Sequence, residues 1–411
     1  MSINKIKVGF EFTLLNPQSG GAFQYSFYIL KLLAQIDRID QVSIFCTEEQ
    51  EPFLNEFEAQ EKFRLIRMRK YNFITRRFKK LADYFMNRYI NKAGNSPYLY
   101  RLYRILNPDN YYINRFGFDI FHVPWQVSPV HGIKAPVIIT VHDLQQLHFP
   151  EFFSAYDRLY RAITFTKSIL ESDQVISSFN HVKDDVQKYF GVGEDQTSVC
   201  PVPVNLNCFT TDKFTSEEVL KEKYNLSEEF VLTPAATWPH KNHVGVLNAL
   251  RILKEQGRIV HWIATGFKQT FFDEVIAGKI EEFGLADQVL FTDVVSEEDL
   301  IGLYKIATLV VMPTLYEAGS GPLFESMRYN VPVICSNVTS LPETIGNEAY
   351  VFDPYDHKQM AEMIMKGLEN DEYRKVNQIN SKARLDYYAQ FDYKQPIIEA
   401  YSKAIAQKRR M

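Results

Sequence analysis

Two carboxylates eight residues apart are common in any chain. Two that flank a glycine-serine-glycine-proline turn, between a buried strand and a helix, are not. The stretch Thr314-Leu-Tyr-Glu317-Ala-Gly319-Ser320-Gly321-Pro322-Leu323-Phe-Glu325 has this form. Pro322 suits the first turn of a helix, which leaves the backbone amides around residues 320–324 open to phosphate or sugar oxygens. Glu325, one turn in, is placed to accept hydrogen bonds from two vicinal hydroxyls. Glu317, ahead of the helix, is placed to meet sugar hydroxyls or an emerging positive centre.

Three other stretches carry residue types fit for the same chemistry. Ala236-Thr-Trp-Pro-His240-Lys241-Asn242-His243 follows an apolar run and opens a helical one. Lys241 at that junction supplies positive charge to a diphosphate, with His240 assisting. Alternatively Asn242 only caps the helix and Lys241 is solvated. His142-Asp143-Leu144 stands at the end of a β-branched run. A neutral imidazole there can donate to a sugar hydroxyl or phosphate, or it can be satisfied locally by a backbone carbonyl. Asn16-Pro-Gln-Ser-Gly20-Gly21 precedes a helix-like run. Adjacent glycines let backbone approach an anion at a helix N-terminus, or they make a plain turn.

The elements that must hold these residues follow from the alternation of apolar runs and amphipathic ones. Strands are predicted over 7–12, 41–46, 63–68, 118–123, 137–141, 175–178 and 198–202, and helices over 23–36, 76–91, 155–171 and 180–190. The second half repeats the plan, with strands over 230–235, 260–265, 289–292, 309–312, 331–335 and 350–352. Its helices are predicted over 243–255, 271–282, 297–306, 323–328 and 357–368. Continuous apolar strands alternating with helices imply parallel sheets covered on both faces. The fold class is therefore α/β, with two doubly wound domains whose strand ends face each other across a cleft. At 411 residues the length also suits two domains. The boundary is expected in the Pro- and Asn-rich stretch 201–215, giving an N-terminal domain 1–204 and a C-terminal domain 205–385. A last helical segment, about 386–411, has no strand to serve and is expected to pack back on the first domain.

Composition narrows the function classes. Hydrophobic residues make up 46% and charged residues 23%, which is globular, and the net charge of −4 argues against a nucleic-acid binder. Cys46, Cys200, Cys208 and Cys335 are far apart, so neither a disulfide framework nor a zinc ribbon is expected. With no long apolar run and no signal peptide at the start, a reducing, cytoplasmic setting is expected. Charge is uneven, however. Between Lys62 and Arg104 there are 13 Lys and Arg against one acid, Asp83, so this segment carries +12 and the remainder −16. Arg76, Arg77, Lys79, Lys80, Arg88, Lys92, Arg101 and Arg104 are interleaved there with Phe78, Tyr84, Phe85, Tyr89, Tyr98, Tyr100 and Tyr103. The segment is a solvated helix pair with cationic stems over aromatics, a surface for anionic lipid or an anionic acceptor, or a contact for nucleic acid.

Taken together, the Glu317 and Glu325 pair with its glycines, Lys241-Asn242, Gly20-Gly21 and His142-Asp143-Leu144 resemble the retaining GT-B glycosyltransferases of family 4, in the same order along nearly the whole chain. The resemblance implies two Rossmann-like domains, the second holding a nucleoside-diphosphate sugar. It implies that Glu325 binds the ribose hydroxyls, Glu317 the donor sugar, and amides from Ser320 to Leu323, with Gly319, Gly321 and Pro322 shaping the turn, the sugar and diphosphate. Lys241 would neutralise the diphosphate, His142 with Asp143 would serve the sugar, and Gly20-Gly21 would close over the phosphates. Backbone near Gly266 and Val294 is assigned to the base. Many members carry an Arg shortly before the Lys, where this chain has Trp238-Pro239-His240.

No Asp-x-Asp occurs in the sequence, so a metal-chelated diphosphate is not expected and no cofactor is required. The expected activity is retaining, metal-independent transfer of a hexose from GDP-mannose or a UDP-hexose. The acceptor is a saccharide, free or lipid-linked, in surface polysaccharide synthesis at the cytoplasmic face of a membrane. A nucleotide-sugar epimerase, a phosphorylase and a non-catalytic nucleotide-sugar-binding subunit are the alternatives.

Overall fold

The computed structural model describes residues 5–15, 21–68, 71–92, 94–201 and 211–408. The chain divides into two compact units, one of residues 1–203 with 392–411 and one of residues 204–391. The expected boundary at 204/205 lies outside the described residues.

The first unit is built on a seven-stranded sheet of β1 (Ile6–Glu11), β2 (Ile39–Cys46), β3 (Phe63–Arg67), β4 (Ile120–Val123), β5 (Val137–Val141), β6 (Gln174–Ser177) and β7 (Thr197–Val199). Its order is β3-β2-β1-β4-β5-β6-β7, and every pairing is parallel. Strands such as Ile120–Val123 are buried at every position, as expected of a sheet covered on both faces. Gly9 on β1 is the point of closest packing. A Cβ there would fall 2.6 Å from the Phe121 ring and 2.9 Å from Phe118, so the aromatic layer is seated directly on bare backbone.

The second unit has six parallel strands, β8 (Val231–Pro234), β9 (Trp262–Thr265), β10 (Val289–Asp293), β11 (Leu309–Met312), β12 (Val333–Ser336) and β13 (Val351–Phe352), in the order β10-β9-β8-β11-β12-β13. Its core includes Leu232, Leu250, Trp262, Val310, Leu323, Ile334 and Ile364. Fully burying each such side chain contributes about 1.5–3 kcal/mol.

Most predicted elements appear within two residues of their expected ends. Several differ. The helix expected over 271–282 opens with a π-helical turn, Phe272–Ile276, before the α-helical Ala277–Glu282. The terminal segment is two helices with different hosts. Asp371–Gln390 packs on the second unit, and Lys394–Lys408 packs on β4, β5, β6 and β7 of the first. The chain therefore leaves the second unit at Phe391 rather than at 385. The basic aromatic segment is a helical pair, Phe73–Asn91 and Pro97–Leu106, with a small core of Ala82, Tyr89, Ile90, Tyr100 and Tyr103 against Ile163. Asn72 caps the first of these helices by accepting from the Thr75 amide at 2.8 Å.

Candidate functional site

In the second unit the strand order reverses between β8 and β11. The loops leaving these two strands run in opposite directions, so the sheet has a crevice at their carboxyl ends. Residues 235–242 leave β8 and residues 313–320 leave β11. Hydrogen bonds join the two loops: the Leu315 amide donates to the His240 carbonyl at 2.7 Å, Thr314 Oγ1 to the same oxygen at 2.9 Å, and Asn242 Nδ2 to the Pro313 carbonyl at 3.0 Å.

Asn242 adopts a left-handed conformation (φ 57°), which its short polar side chain tolerates. Its Oδ1 caps the His243–Glu255 helix by accepting from the Gly245 amide at 3.1 Å. The capping role is thus present, but Lys241 is not solvated. Its Nζ donates to Glu317 Oε2 at 2.6 Å, and the two side chains are only 18% and 12% exposed. The residue expected at the diphosphate and the one expected at the sugar are thus paired with each other. Two charges on facing loops of one crevice are better kept as a pair than left unpartnered, because an unpaired, desolvated charge is expensive. An ammonium has three N–H donors and a carboxylate about four acceptor positions, so each keeps capacity for a ligand while paired. Glu317 is also tied to the loop after β12. Its amide donates to Thr339 Oγ1 at 3.0 Å, and its carbonyl accepts from Ser340 Oγ at 2.9 Å. Neither Thr339 nor Ser340 was singled out from the sequence, where nothing distinguishes them from ordinary loop residues.

Ser320, fully buried, caps the Gly321–Arg328 helix, its Oγ accepting from the Leu323 amide at 3.3 Å. Pro322 has no N–H, and the Phe324 amide donates to the Ser320 carbonyl. The amides this turn can offer an anion are therefore those of Gly319, Ser320 and Gly321, a narrower set than residues 320–324. Glu325 is half-buried, and its Oε2 accepts from the buried Tyr304 hydroxyl at 2.6 Å. Tyr304 comes from the Glu297–Ile306 helix, whose sequence shows only an apolar face.

Gly266 and Val294, assigned to the base, meet around Asp293. The Asp293 carbonyl accepts from the Gly266 amide at 3.0 Å, and its Oδ1 accepts from the Val294 amide at 2.9 Å and the Lys268 amide at 3.2 Å. Only glycine fits at 266. Its φ is +131°, and a Cβ would lie 2.7 Å from the Ala235 carbonyl carbon, against the loop that carries Lys241. His240 is held neutral: burial, then the neighbouring Lys241 and His243, lower its pKa to about 3.

In the first unit, Gly20 lies outside the described residues, and Gly21 opens the Gly21–Ala34 helix. His142 is satisfied locally. Its Nε2 faces the Pro124 carbonyl at 3.1 Å, an acceptor only, so that nitrogen carries the proton and Nδ1 accepts from the Ser178 hydroxyl at 2.8 Å. Burial lowers its pKa to about 4. As folded, therefore, both ring nitrogens are taken, and a sugar hydroxyl would have to displace one of these partners. Asp143 Oδ1 accepts from the Gln145 amide at 3.3 Å, and burial raises its pKa. One carboxylate was missed. Glu11, at the end of β1, is 2% exposed, and burial pushes its pKa up to about 7 against hydrogen bonds from Thr13.

The cations between Lys62 and Arg104 fall into two groups. Lys62 donates to the carbonyls of Ala34 and Ile36, Arg67 pairs with Glu51, and Lys79 pairs with Asp109 at 3.1 Å. These serve the fold. Arg76, Arg77, Lys80, Arg88, Arg101 and Arg104 are exposed, as are Phe78, Tyr84 and Tyr98, whereas Tyr89, Tyr100 and Tyr103 are buried. Among the described residues no three His, Cys, Asp or Glu side chains gather as a metal site, and no helix is long and apolar enough to cross a membrane.

Comparison with known proteins agrees with this frame. A family model described as Glycosyltransferase Family 4 matches residues 19–207, and one described as Glycosyl transferases group 1 matches residues 216–385. The chain is 25% identical over 308 residues to O-antigen chain mannosyltransferase B of Escherichia coli, covering 74% of this chain and 80% of that protein. It is 28% identical over 251 residues to O-antigen chain mannosyltransferase RfbU of Salmonella typhimurium, covering 61% and 65%. A serotype-specific mannosyltransferase of Escherichia coli is 27% identical over 256 residues, which is 61% of this chain but 30% of that longer protein. Among solved structures, a glycosyltransferase from Rickettsia africae superposes with a TM-score of 0.64 at 17% identity, covering 98% of this chain and 99% of that one. WaaG, a glycosyltransferase involved in lipopolysaccharide biosynthesis, gives 0.57 at 14% identity, covering 96% and 98%. With a doubly wound parallel sheet in each unit and a glycosyltransferase model over each, the chain belongs to the GT-B glycosyltransferases of family 4.

Proposed function

We propose that this enzyme is a retaining, metal-independent mannosyltransferase, taking its hexose from a nucleoside-diphosphate sugar. GDP-mannose is the donor we favour over a UDP-hexose, because the curated relatives described above are named mannosyltransferases. The second unit takes the donor, and the first presents a saccharide acceptor, free or lipid-linked, for surface polysaccharide synthesis at the cytoplasmic face of a membrane. The observation that carries the reading is the Lys241–Glu317 pair beside the amides of Gly319, Ser320 and Gly321, at the switch point of the second sheet.

In the reaction, the bond between the anomeric carbon and the diphosphate oxygen breaks, and a bond from the same face forms to the acceptor oxygen. The acceptor proton passes to an oxygen of the departing diphosphate, so no protein base is needed. Lys241 and the three amides meet the charge that develops on the leaving group, while Glu317 faces the positive charge left on the sugar. Glu325, oriented by Tyr304, accepts from the ribose hydroxyls. Because ligand binding stabilises the folded state by mass action, melting curves with GDP, UDP and ADP test the donor assignment. GDP is expected to raise the melting temperature most. If none of the three raises it, the site is not a nucleotide site.

A further inference from the structure

Two cavities lie side by side in the first unit, lined by none of the residues assigned above to the donor. One, of about 460 Å³, has a largely apolar wall that includes Phe78, Ile105, Leu106 and Tyr111, with Asp109 and Arg115 also in it. The other, of about 600 Å³, has Arg101, Arg104 and Lys167 in its wall, with Tyr100, Asn114 and His131. Ile105 and Tyr111 line both, so the cationic cavity adjoins the apolar one across these two side chains. These two side chains are 50% and 61% exposed, so an apolar chain can lie across them.

The three cations are not used by the fold as Lys62, Arg67 and Lys79 are. Arg101 and Arg104 are three apart on the Pro97–Leu106 helix and share a face, and Lys167 reaches in from the Ala155–Glu171 helix. Among the described residues none of the three makes an ion pair. Lys167 Nζ lies 4.7 Å over the Tyr100 ring, which holds it without neutralising it. Gly132 (φ +85°) leaves room for Arg104: a Cβ there would fall 2.5 Å from its guanidinium. The acid near this wall is Glu171, already bound by the Tyr100 hydroxyl at 2.7 Å and His131 Nδ1 at 3.1 Å. Three cations against one occupied carboxylate leave a net positive pocket.

A small inorganic anion would satisfy the cations and leave the apolar cavity open to water. A neutral apolar chain would do the reverse. We infer that the paired cavities seat one phosphate-bearing lipid, its phosphate at Arg101, Arg104 and Lys167 and its chain crossing Ile105 and Tyr111 into the apolar cavity. The neighbouring helix supports a bilayer as the source. Ile74, Phe78 and Leu81 are exposed at spacings of four and three, which makes a single apolar stripe, and exposed Arg77 and Arg88 flank it. The inference rests on the membrane-facing part of the proposed function and is independent of the donor assignment.

The test is sedimentation of the full chain with vesicles of phosphatidylcholine, with and without phosphatidylglycerol, at low and high salt. Wild type is expected to sediment with the anionic vesicles only, less so at high salt. Arg101→Glu is expected to weaken binding by at least about tenfold, since each cation near an anionic surface is worth about a factor of five to ten and reversal doubles the change. Tyr111→Ser is expected to weaken it at both salt concentrations, because the loss of apolar burial is not screened. Both residues are surface-exposed, and the melting temperature and its shift with GDP report that each variant is folded with an intact donor site. Inorganic phosphate, added with ionic strength held constant, is expected not to displace the vesicles. Equal sedimentation of wild type and Arg101→Glu, equal binding to neutral vesicles, or full displacement by phosphate each overturns the inference. Loss of the GDP shift in the wild type alone would instead count against the donor assignment.

Discussion

The two units share one strand order up to the sixth strand, and each has its switch point between its first and fourth strands. The chemistry gathered there is opposite. In the second unit the loops after β8 and β11 bring Lys241 and Glu317 together as a paired charge, flanked by the amides of a helix N-terminus. In the first unit the same position holds groups whose charge is opposed by burial. Glu11 ends β1 with its pKa pushed up to about 7, and His122 on β4 is pinned between the Tyr401 hydroxyl at 2.9 Å and Thr140 Oγ1 at 3.1 Å, with burial lowering its pKa to about 3. The difference shows that strand order supplies a place and not a chemistry. Charge is supported in a desolvated crevice where a partner comes from the facing loop, and elsewhere burial works against it.

The largest expected effect lies on the first unit's side of this comparison. Glu11 binds its proton more tightly folded than unfolded, so its contribution is fully present below about pH 4.5 and is lost as pH rises through about 7. The difference corresponds to about 3 kcal/mol, as an order of magnitude. Glu11→Gln, which keeps an acceptor for Thr13, should remove this loss and raise the urea midpoint at pH 8 relative to pH 5. An unchanged pH profile would mean that Glu11 is not desolvated as described. On the second unit's side, Lys241→Ala should lower kcat by more than about tenfold, through loss of leaving-group stabilisation and an unpaired Glu317. A double-mutant cycle with Glu317→Gln should show strong coupling, and additivity would dissolve the pair. A smaller effect is expected at Tyr304→Phe, which removes the hydroxyl that orients Glu325. About 1 kcal/mol, near fivefold, should appear in the nucleotide dissociation constant with kcat little changed. Chelation by EDTA should have no effect on turnover, and a loss restored by manganese or magnesium would show that a metal supplements the Lys241 charge.

Most of the fold was legible because its signals are local. Runs such as Val137–Val141, Leu309–Met312 and His243–Glu255 announce strand or helix by apolar period, and the alternation of the two commits the chain to parallel sheets. The terminal segment was only half legible. Nothing in its composition separates the helix that stays on the second unit from the one that returns to β4–β7, since both show a modest apolar face and the host is chosen by packing. The basic segment reads as one block of charge, yet Lys79 is spent on Asp109 while Arg101 and Arg104 remain unpaired.

The candidate site divides along the same line. Glycine, proline and carboxylate spacing around Glu317 and Glu325, and the junction at Lys241-Asn242, are properties of short stretches, so the sequence by itself determined which residues stand at the ends of β8 and β11. What only the tertiary structure decided was their partners. Lys241 and Glu317 are 76 residues apart, Tyr304 and Glu325 are 21 apart, and His142 and Ser178 are 36 apart. Such pairs form because separate strand–helix connections are folded onto one sheet edge, where a desolvated polar group takes whatever partner the neighbouring loop presents. No pattern within either stretch encodes that choice.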